Sequence, residues 1–214
     1  MANIGFVGLG NIGKGICKNL IEAGNALTVF DVNKSAMERF AGRAVLAKDL
    51  KEICSNSEYI FLSLPNSQVV EDAVDIFVKE GVENKVIIDT STSYPVSTRR
   101  LYEKVKANGG SLIDAPLMTG PQEAEEGTLD IVIGGDKEVV DSLSFLFESY
   151  CKSYRYVGGI GNGHLAKLAI NFCGLSEALL FAQLYPVMAK FGFKQEELYD
   201  ILNCETLDNW VFQF

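Results

Sequence analysis

The most constraining feature of this chain is a glycine pattern that follows directly after a short apolar run near the N-terminus. Residues 3–7 are mostly apolar, and Gly8, Gly10 and Gly13 then complete the pattern G-x-G-x-x-G. Glycine permits a tight turn at the first position, close approach of a ligand's phosphates at the second, and close packing of a helix against a strand at the third. This strand, turn and helix predict a site for a dinucleotide.

Residues 11–24 and 27–30 extend the pattern with a predicted helix and a second strand. The N-terminus of that helix offers N–H groups and a positive dipole end to phosphates. Asp31 closes the second strand, where a carboxylate accepts the ribose hydroxyls of the adenosine and repels the extra phosphate of NADP. We therefore expect NAD as the cofactor, with NADP possible because Lys34 lies nearby. As an alternative, Asp31 and Asn33 cap the next helix.

Strand and helix patterns alternate up to about residue 160, which predicts an α/β fold with a Rossmann-type, doubly wound, mostly parallel sheet. The further strands are expected at residues 44–46, 58–64, 85–89, 111–115, 129–134 and 153–157. The further helices are expected at residues 34–41, 48–54, 67–79, 95–107, 121–126 and 136–150.

The pattern changes after Gly163, where apolar residues recur at steps of three or four through residues 164–191. This predicts one long helix that is apolar around much of its circumference, followed by a short helix at 195–203. We therefore divide the chain into a dinucleotide-binding domain, residues 1–160, and the start of an incomplete all-α domain, residues 161–214. Two helices cannot cover so much apolar surface, so the chain either oligomerises through the long helix or lacks part of this domain. We expect a homo-oligomer, at least a dimer, that forms through the long helix.

Composition restricts the partners and the compartment. With 19 basic and 28 acidic residues the formal charge is −9, which disfavours nucleic acid and anionic membrane surfaces. The sequence has no uninterrupted apolar run of about 18 residues and no signal peptide, so we expect a cytoplasmic protein. The five cysteines have no metal-binding spacing, and we expect no metal site and buried, reduced thiols at Cys17, Cys54, Cys151, Cys173 and Cys204.

Several motifs between Ile4 and about Trp210 carry a family resemblance. They are the glycine-rich opening, Leu64-Pro65-Asn66, Asp89-Thr90-Ser91-Thr92-Ser93-Tyr94-Pro95, Asp114-Ala115-Pro116 with the glycines that follow, and Gly161-x-Gly163-x-x-x-Lys167-x-x-x-Asn171. Together they resemble the β-hydroxyacid dehydrogenase family, which includes 3-hydroxyisobutyrate dehydrogenase and the glyoxylate and succinic semialdehyde reductases. The resemblance implies that the second domain takes part in substrate binding and dimerisation.

The glycine pattern and the resemblance together define a set of expected cofactor contacts. In the family the loop after the fourth strand lies along the cofactor, and the threonine of the D-x-S-T segment touches its nicotinamide half. The expected cofactor-binding residues are Gly8, Leu9, Gly10, Asn11, Ile12, Gly13, Asp31, Val32, Asn33, Leu64, Pro65, Asn66 and Thr92.

Lys167 and Asn171 are expected to carry the chemistry. They are four residues apart and therefore share one face of a helix. Hydride transfer to a carbonyl builds negative charge on oxygen, and a nearby ammonium stabilises that charge and then donates the proton. The resemblance implies that Lys167 is this proton donor, although a single helical lysine is more often a solvated surface residue. Asn171 has a donor and an acceptor on one amide and can hold the substrate or orient the ammonium, and we expect it to bind the substrate. We interpret His164 as a cap or first-turn residue and not as a general base.

The substrate segment departs from the family pattern. Where the family usually has Ser-Gly-Gly, this chain has Met118, Thr119 and Gly120. The change removes a hydroxyl donor and adds a β-branched side chain where the backbone approaches the substrate carboxylate. Thr119 and Gly120 are therefore the expected substrate-binding residues of this segment, with Thr119 Oγ in place of the missing hydroxyl. The substrate is expected to be larger, less acidic or held differently.

The chain also ends at Phe214, whereas family members continue through several more helices, which supply a lysine that closes over the cofactor. We expect a cut or truncated chain in which Trp210, Phe212 and Phe214 are exposed. The preferred function is an NAD(P)-dependent oxidoreductase acting on a small hydroxy acid or semialdehyde. The alternatives are a non-catalytic dinucleotide-binding module and an imine reductase, and Lys167 disfavours the latter.

Overall fold

The computed structural model describes residues 1–203. Its strands are β1 (Asn3–Val7), β2 (Ala26–Phe30), β3 (Val45–Leu46), β4 (Tyr59–Leu62), β5 (Val86–Asp89), β6 (Ser111–Asp114), β7 (Leu129–Ile133) and β8 (Cys151–Tyr156). Its helices are α1 (Gly13–Glu22), α2 (Lys34–Glu38), α3 (Leu50–Asn56), α4 (Ser67–Glu80), α5 (Pro95–Lys106), α6 (Pro121–Glu126), α7 (Lys137–Ser142), α8 (Ser144–Phe147), α9 (Asn162–Lys190) and α10 (Gln195–Leu202). Met1–Lys167 forms one compact unit, and a second unit begins at Leu168.

The first unit is built on a six-stranded sheet with the order β3-β2-β1-β4-β5-β6. All five strand pairs are parallel. The strand order reverses between β1 and β4, and in open parallel sheets ligands bind beyond the carboxyl ends of the strands at such a reversal. This architecture confirms the predicted fold class. The strands β7 and β8 pair in a separate, parallel two-stranded sheet.

Both faces of the large sheet are covered, which explains the continuous apolar runs of its strands. Successive residues of β4 belong to different cores: Phe61 packs in one apolar cluster and its neighbours Ile60 and Leu62 pack in the other. The first cluster includes residues of α1 and α8, and the second includes residues of α3, α4 and α5. Phe6 of β1 stacks on Phe61 with ring centroids 5.7 Å apart. The two cores hold the strand ends in fixed positions.

The predicted single helix at residues 136–150 is wrong. The structure has two short helices, α7 and α8, which are separated at Leu143 with φ −100° and ψ 3°. The chain turns there with tight i to i−3 hydrogen bonds, 3.1 Å from Leu143 to Val140 and 2.9 Å from Leu146 to Leu143. The apolar residues keep intervals of three and four across this turn. Leu143, Leu146 and Phe147 are therefore all buried in the core.

The second unit contains most of the long helix α9 and the short helix α10, close to their predicted bounds. Several large apolar side chains of α9 are exposed, including Phe172 and Leu175 at 72% each. By length and composition alone α9 is also long and apolar enough to span a membrane. One such helix is only weak evidence of a membrane-spanning segment. The prediction that all cysteines are buried is wrong for Cys173, which lies on this exposed surface. Cys204, Trp210, Phe212 and Phe214 lie outside the described residues.

Candidate active site

A cleft of about 740 Å³ opens in the first unit where β1, β2, β4 and β5 end. Twelve of the residues named from the sequence line it, namely Gly8, Gly10, Asn11, Ile12, Gly13, Asp31, Val32, Leu64, Pro65, Thr92, Thr119 and Lys167. This volume lies in the range of small-molecule and cofactor sites. Residues that are far apart in the sequence therefore meet at the place where the strand order reverses.

The three glycines of the opening motif have different surroundings. Gly8 has φ +97°, and a Cβ there would lie 2.1 Å from the Ser63 carbonyl oxygen. A Cβ on Gly13 would lie 2.1 Å from the Gly8 carbonyl oxygen. By contrast, a Cβ on Gly10 would meet no atom within 4 Å, because Gly10 borders the open cleft. The first and third glycines are thus required by packing, and the second leaves space for a ligand.

Unpaired backbone donors lie beside this space. The N–H groups of Asn11, Ile12 and Gly13 donate to no protein acceptor within residues 1–203. They stand at the N-terminus of α1, where the helix dipole is positive. Orphan donors, a positive dipole end and open space over Gly10 together fit the pyrophosphate of a dinucleotide.

Asp31 stands at the end of β2 with both carboxylate oxygens oriented by the backbone. Oδ2 accepts the Leu9 N–H at 2.7 Å, and Oδ1 accepts the Asn33 N–H at 2.7 Å. The helix α2 is capped by Asn33, whose side chain accepts the N–H of Ser35 at 3.1 Å. The alternative that Asp31 and Asn33 cap this helix is therefore confirmed for Asn33 and wrong for Asp31. The remaining lone pairs of the Asp31 carboxylate are available to the ribose hydroxyls of a cofactor.

Charge in the cleft is strongly asymmetric. Of the described lining residues, two are acidic, Asp31 and Asp72, and Lys167 is the one cation. Lys34 does not line the cleft. No basic side chain of the described cleft wall is therefore available near Asp31 to pair with a ribose phosphate.

Lys167 enters the cleft from the beginning of α9. It is half-buried, and this desolvation lowers the pKa of its ammonium below the ordinary lysine value. Within residues 1–203 it forms no ion pair and no hydrogen bond through Nζ. An unpaired, partly desolvated ammonium can act on an oxygen that gains charge during a reaction.

Five predicted site residues do not line the cleft. Leu9 is buried and acts through its N–H on Asp31, and Asn33 acts as the cap of α2. Asn66 caps α4 by accepting the Val69 N–H at 3.1 Å. Gly120 precedes α6 and donates its N–H to Glu123 Oε2 at 2.9 Å. Asn171 belongs to the second unit, so its role in substrate binding stays a prediction.

Thr119 is the residue of the segment Met118-Thr119-Gly120 that lines the cleft. Its Oγ1 accepts the N–H of Asp130 at 3.2 Å. Because that bond uses only a lone pair, the hydroxyl proton can still be donated into the cleft. The geometry is compatible with the predicted substrate contact.

Sequence reasoning missed part of the wall, namely Val7, Phe30, Leu50, Ser63, Val69, Asp72, Ala73, Thr90, Ser91 and Leu117. Most of these residues stand at strand ends or in the first turns of the helices that follow. Val69, Asp72 and Ala73 have the i, i+3, i+4 spacing of one helix face. The rule that ligands bind beyond carboxyl strand ends would have identified the strand-end residues.

The parallel sheet, the glycine cradle and the acidic residue at the end of β2 define a nicotinamide dinucleotide-binding protein. Residues 3–158 match the family described as the NAD binding domain of 6-phosphogluconate dehydrogenase, and the chain belongs to this family. The match confirms NAD as the cofactor, with NADP possible.

Curated relatives confirm the resemblance to the β-hydroxyacid dehydrogenases. The mitochondrial 3-hydroxyisobutyrate dehydrogenase of Drosophila melanogaster is 35% identical over 218 residues, which cover 98% of this chain and 65% of the relative. The 2-hydroxy-3-oxopropionate reductase of Escherichia coli K12 is 35% identical over 188 residues, covering 84% and 64%. The chain thus spans about 65% of the length of these relatives.

The fold is also similar to a solved structure, the 3-hydroxyisobutyrate dehydrogenase of Mycobacterium tuberculosis with L-serine. The TM-score is 0.91 at 24% sequence identity, and the match covers 99% of this chain and 73% of that one. At this identity the likeness supports the fold.

Proposed function

We propose that the protein is an NAD(P)-dependent oxidoreductase that transfers a hydride between the nicotinamide and a small hydroxy acid or semialdehyde. The observation that carries the proposal is the position of Lys167. It is the one cation among the described residues of a cleft that also contains the glycine cradle, and it is half-buried and unpaired. This is the arrangement expected of a proton donor for a carbonyl oxygen.

The cleft residues suggest how the cofactor is oriented. Asp31 would accept hydrogen bonds from the adenosine ribose, beside Val32, and the pyrophosphate would lie over Gly10 and the free N–H groups of α1. This order directs the nicotinamide half towards Thr92 and Lys167, as the family resemblance implies. The Asp31 carboxylate at the adenosine end, in a cleft whose wall also carries Asp72 and whose one described cation is Lys167, favours NAD over NADP.

In the reducing direction the reduced nicotinamide, when bound, would supply a hydride, which carries two electrons, and would itself become oxidised. A C–H bond forms at the substrate carbonyl carbon while the C=O π electrons move to oxygen. Lys167 Nζ would stabilise the developing charge and give its proton to that oxygen, so that a hydroxyl results. The neutral amine regains a proton from water. Oxidation of the hydroxy acid reverses each step.

The substrate would be held by Thr119 and, as the resemblance implies, by Asn171. The N–H of Gly120 is already donated to Glu123, so Gly120 is not kept as a substrate contact. Support comes from the relatives, whose names specify 3-hydroxyisobutyrate and 2-hydroxy-3-oxopropionate, both small hydroxy acids. The Thr119 hydroxyl can donate to such a ligand because only its lone pair is used within the protein. We further propose a cytoplasmic homo-oligomer that forms through the exposed apolar surface of α9 and binds neither nucleic acid nor membranes.

Steady-state kinetics test the assignment. The wild type, Lys167→Ala and the exposed-lysine control Lys152→Ala are assayed with NADH and NADPH against glyoxylate, succinic semialdehyde and related aldehydes. The reverse reaction is assayed with 3-hydroxyisobutyrate and serine. We expect kcat to fall about 10²- to 10⁴-fold in Lys167→Ala only. Equal rates for the two variants would refute the role of Lys167.

The second candidate is a non-catalytic NAD-binding module. The specific observation behind it is the replacement of the family's Ser-Gly-Gly by Met118, Thr119 and Gly120 at the substrate segment. Tight NADH binding by the wild type without turnover of any substrate in the panel would favour this candidate over the enzyme.

A further inference from the structure

His164 is the one histidine of the chain and is completely buried, yet the proposed chemistry does not use it. Its Nε2 lies 3.1 Å from the carbonyl oxygen of Ser91, and because a carbonyl only accepts, Nε2 carries a proton and donates. Its Nδ1 lies 2.8 Å from Oγ1 of Thr98. Both ring nitrogens are occupied by the protein, so the ring connects structural elements and has no free atom for a substrate.

The backbone beside His164 is fixed by a buried carboxylate. Asp114, at the end of β6, accepts the Gly161 N–H and the His164 N–H at 2.7 Å each. These bonds satisfy donors that a helix start leaves unpaired. A Cβ on Gly163 would lie 2.8 Å from both the carbonyl oxygen and Oδ2 of Asp114. The first turn of α9 therefore packs directly against the end of β6, and a shift of this turn would break these hydrogen bonds or bring the two backbones into steric conflict.

The other end of this connection is part of the cleft wall. Ser91 lines the cleft next to Thr92, and its Oγ accepts the N–H of Leu64 at 2.9 Å. The side chain of Ser91 thus links its own segment of the cleft wall to that of Leu64. The carbonyl oxygen of Ser91 accepts the hydrogen bond from His164 Nε2. Lys167 follows His164 by three residues, a rise of about 4.5 Å along the helix.

We propose that His164 is a positioning residue that sets the distance between Lys167 and the Ser91–Thr92 wall of the cleft. The inference rests on the proposed function, because the distance matters only if Lys167 acts on a substrate beside the nicotinamide. Proton donation depends steeply on geometry, and a displacement of about 1 Å can cost about a hundredfold in rate. The buried carboxylates Asp89 and Asp114, 3.7 and 3.9 Å from the ring, add to the polar surroundings that hold the imidazole.

Two substitutions of His164 distinguish the effect of its hydrogen bond to the Ser91 carbonyl from the effect of its packing. His164→Leu fills the site but leaves the Ser91 carbonyl without its donor, whereas the side-chain amide of His164→Gln can still donate to it. Val140→Ala serves as the control, because it removes buried volume from the same unit, away from the cleft. If His164→Leu does not fold, Thr98→Val tests the same connection by removing the hydroxyl that partners Nδ1, together with its longer 3.2 Å bond to the Tyr94 carbonyl oxygen.

The first readout needs no substrate. The rate of Lys167 acetylation by acetic anhydride is followed against pH by mass spectrometry, which gives the pKa of this lysine. In the wild type desolvation lowers this pKa. We expect His164→Leu to shift the titration towards that of an ordinary lysine, because a loosened first turn lets water reach the ammonium. His164→Gln should restore most of the wild-type behaviour, and Val140→Ala should not change it.

The second readout is kinetic. We expect kcat of His164→Leu to fall about a hundredfold while the Kd of NADH changes less than about threefold. An unchanged Lys167 titration together with an unchanged kcat in folded His164→Leu or Thr98→Val overturns the inference. The same losses in Val140→Ala overturn it as well. If instead Lys167→Ala retains full activity, the proposed function fails, while the acetylation profiles still report whether His164 positions Lys167.

Discussion

The carboxylate of Asp31 provides the sharpest test of cofactor choice, because its geometry separates its charge from its structural role. Asp31→Asn keeps an oxygen that can accept one of the two backbone N–H groups now bonded at 2.7 Å, and it removes the negative charge. Asp31→Ala removes both the charge and the acceptors. The two variants therefore distinguish electrostatic repulsion of a phosphate from positioning of the loop.

The expected magnitude follows from Coulomb's law. A unit charge on a ribose phosphate about 4 Å from the carboxylate is repelled by about 1 kcal/mol in water and about 4 kcal/mol near a protein surface. The cleft is open, so we take the lower part of this range. Because about 1.4 kcal/mol corresponds to a factor of ten, Asp31→Asn should narrow the preference for NADH over NADPH about tenfold.

The preference is measured as the ratio of the dissociation constants of NADH and NADPH, each obtained from the quenching of intrinsic fluorescence. Asp141→Asn is the control, since it changes the net charge equally but breaks only the exposed ion pair with Lys137. The reasoning is refuted if Asp31→Asn leaves the NADH to NADPH ratio unchanged, or if Asp141→Asn shifts it to the same extent.

Three further predictions concern stability and assembly. Gly13→Ala should lower the free energy of unfolding by about 1–3 kcal/mol or more, because the added methyl group meets the Gly8 carbonyl oxygen. Gly10→Ala should leave the Tm unchanged and weaken NADH binding, because its methyl group enters the open cleft. Thermal unfolding and NADH titration test both variants, and the opposite pattern would contradict the roles assigned to the two glycines. Tyr150→Phe removes a fully buried hydroxyl whose one hydrogen-bonding neighbour among residues 1–203 is the Cys151 thiol, a weak partner. Urea unfolding should therefore show equal or greater stability, and a loss above about 1 kcal/mol would contradict this. Light scattering should show at least a dimer that Phe172→Glu dissociates, and a monomeric wild type would refute assembly through α9.

The sequence was sufficient to predict the parallel sheet and most of the cofactor cradle because those signals are local. The glycine spacing and the apolar run of β1 lie within eleven consecutive residues, 3–13, and the turn they require depends on little else. Gly24 likewise follows α1 with φ +86°, the left-handed conformation that glycine commonly adopts just after a helix. Local backbone requirements of this kind are visible in one sequence.

Features that depend on contacts between distant segments were not predictable. The wall formed by Val69, Asp72 and Ala73 belongs to α4, which packs against α3 and α5, and it lines the cleft together with the ends of β1 and β2, which are distant in the sequence. The bond from His164 to Thr98 joins residues that are 66 positions apart, and the bond to Ser91 spans 73. The turn at Leu143 preserves helical spacing, so periodicity gives no sign of it.

The central claim is that Lys167 gives a proton to the substrate oxygen, and the pH dependence of kcat in both directions tests it most directly. Reduction needs the ammonium, so its rate should be full at low pH and fall as pH rises through the lowered pKa of Lys167. Oxidation needs the neutral amine, so its rate should rise through the same pKa. Both dependences should disappear in Lys167→Ala. A reduction rate that is flat or rises across this range in the wild type, or a profile that survives in Lys167→Ala, would contradict the account.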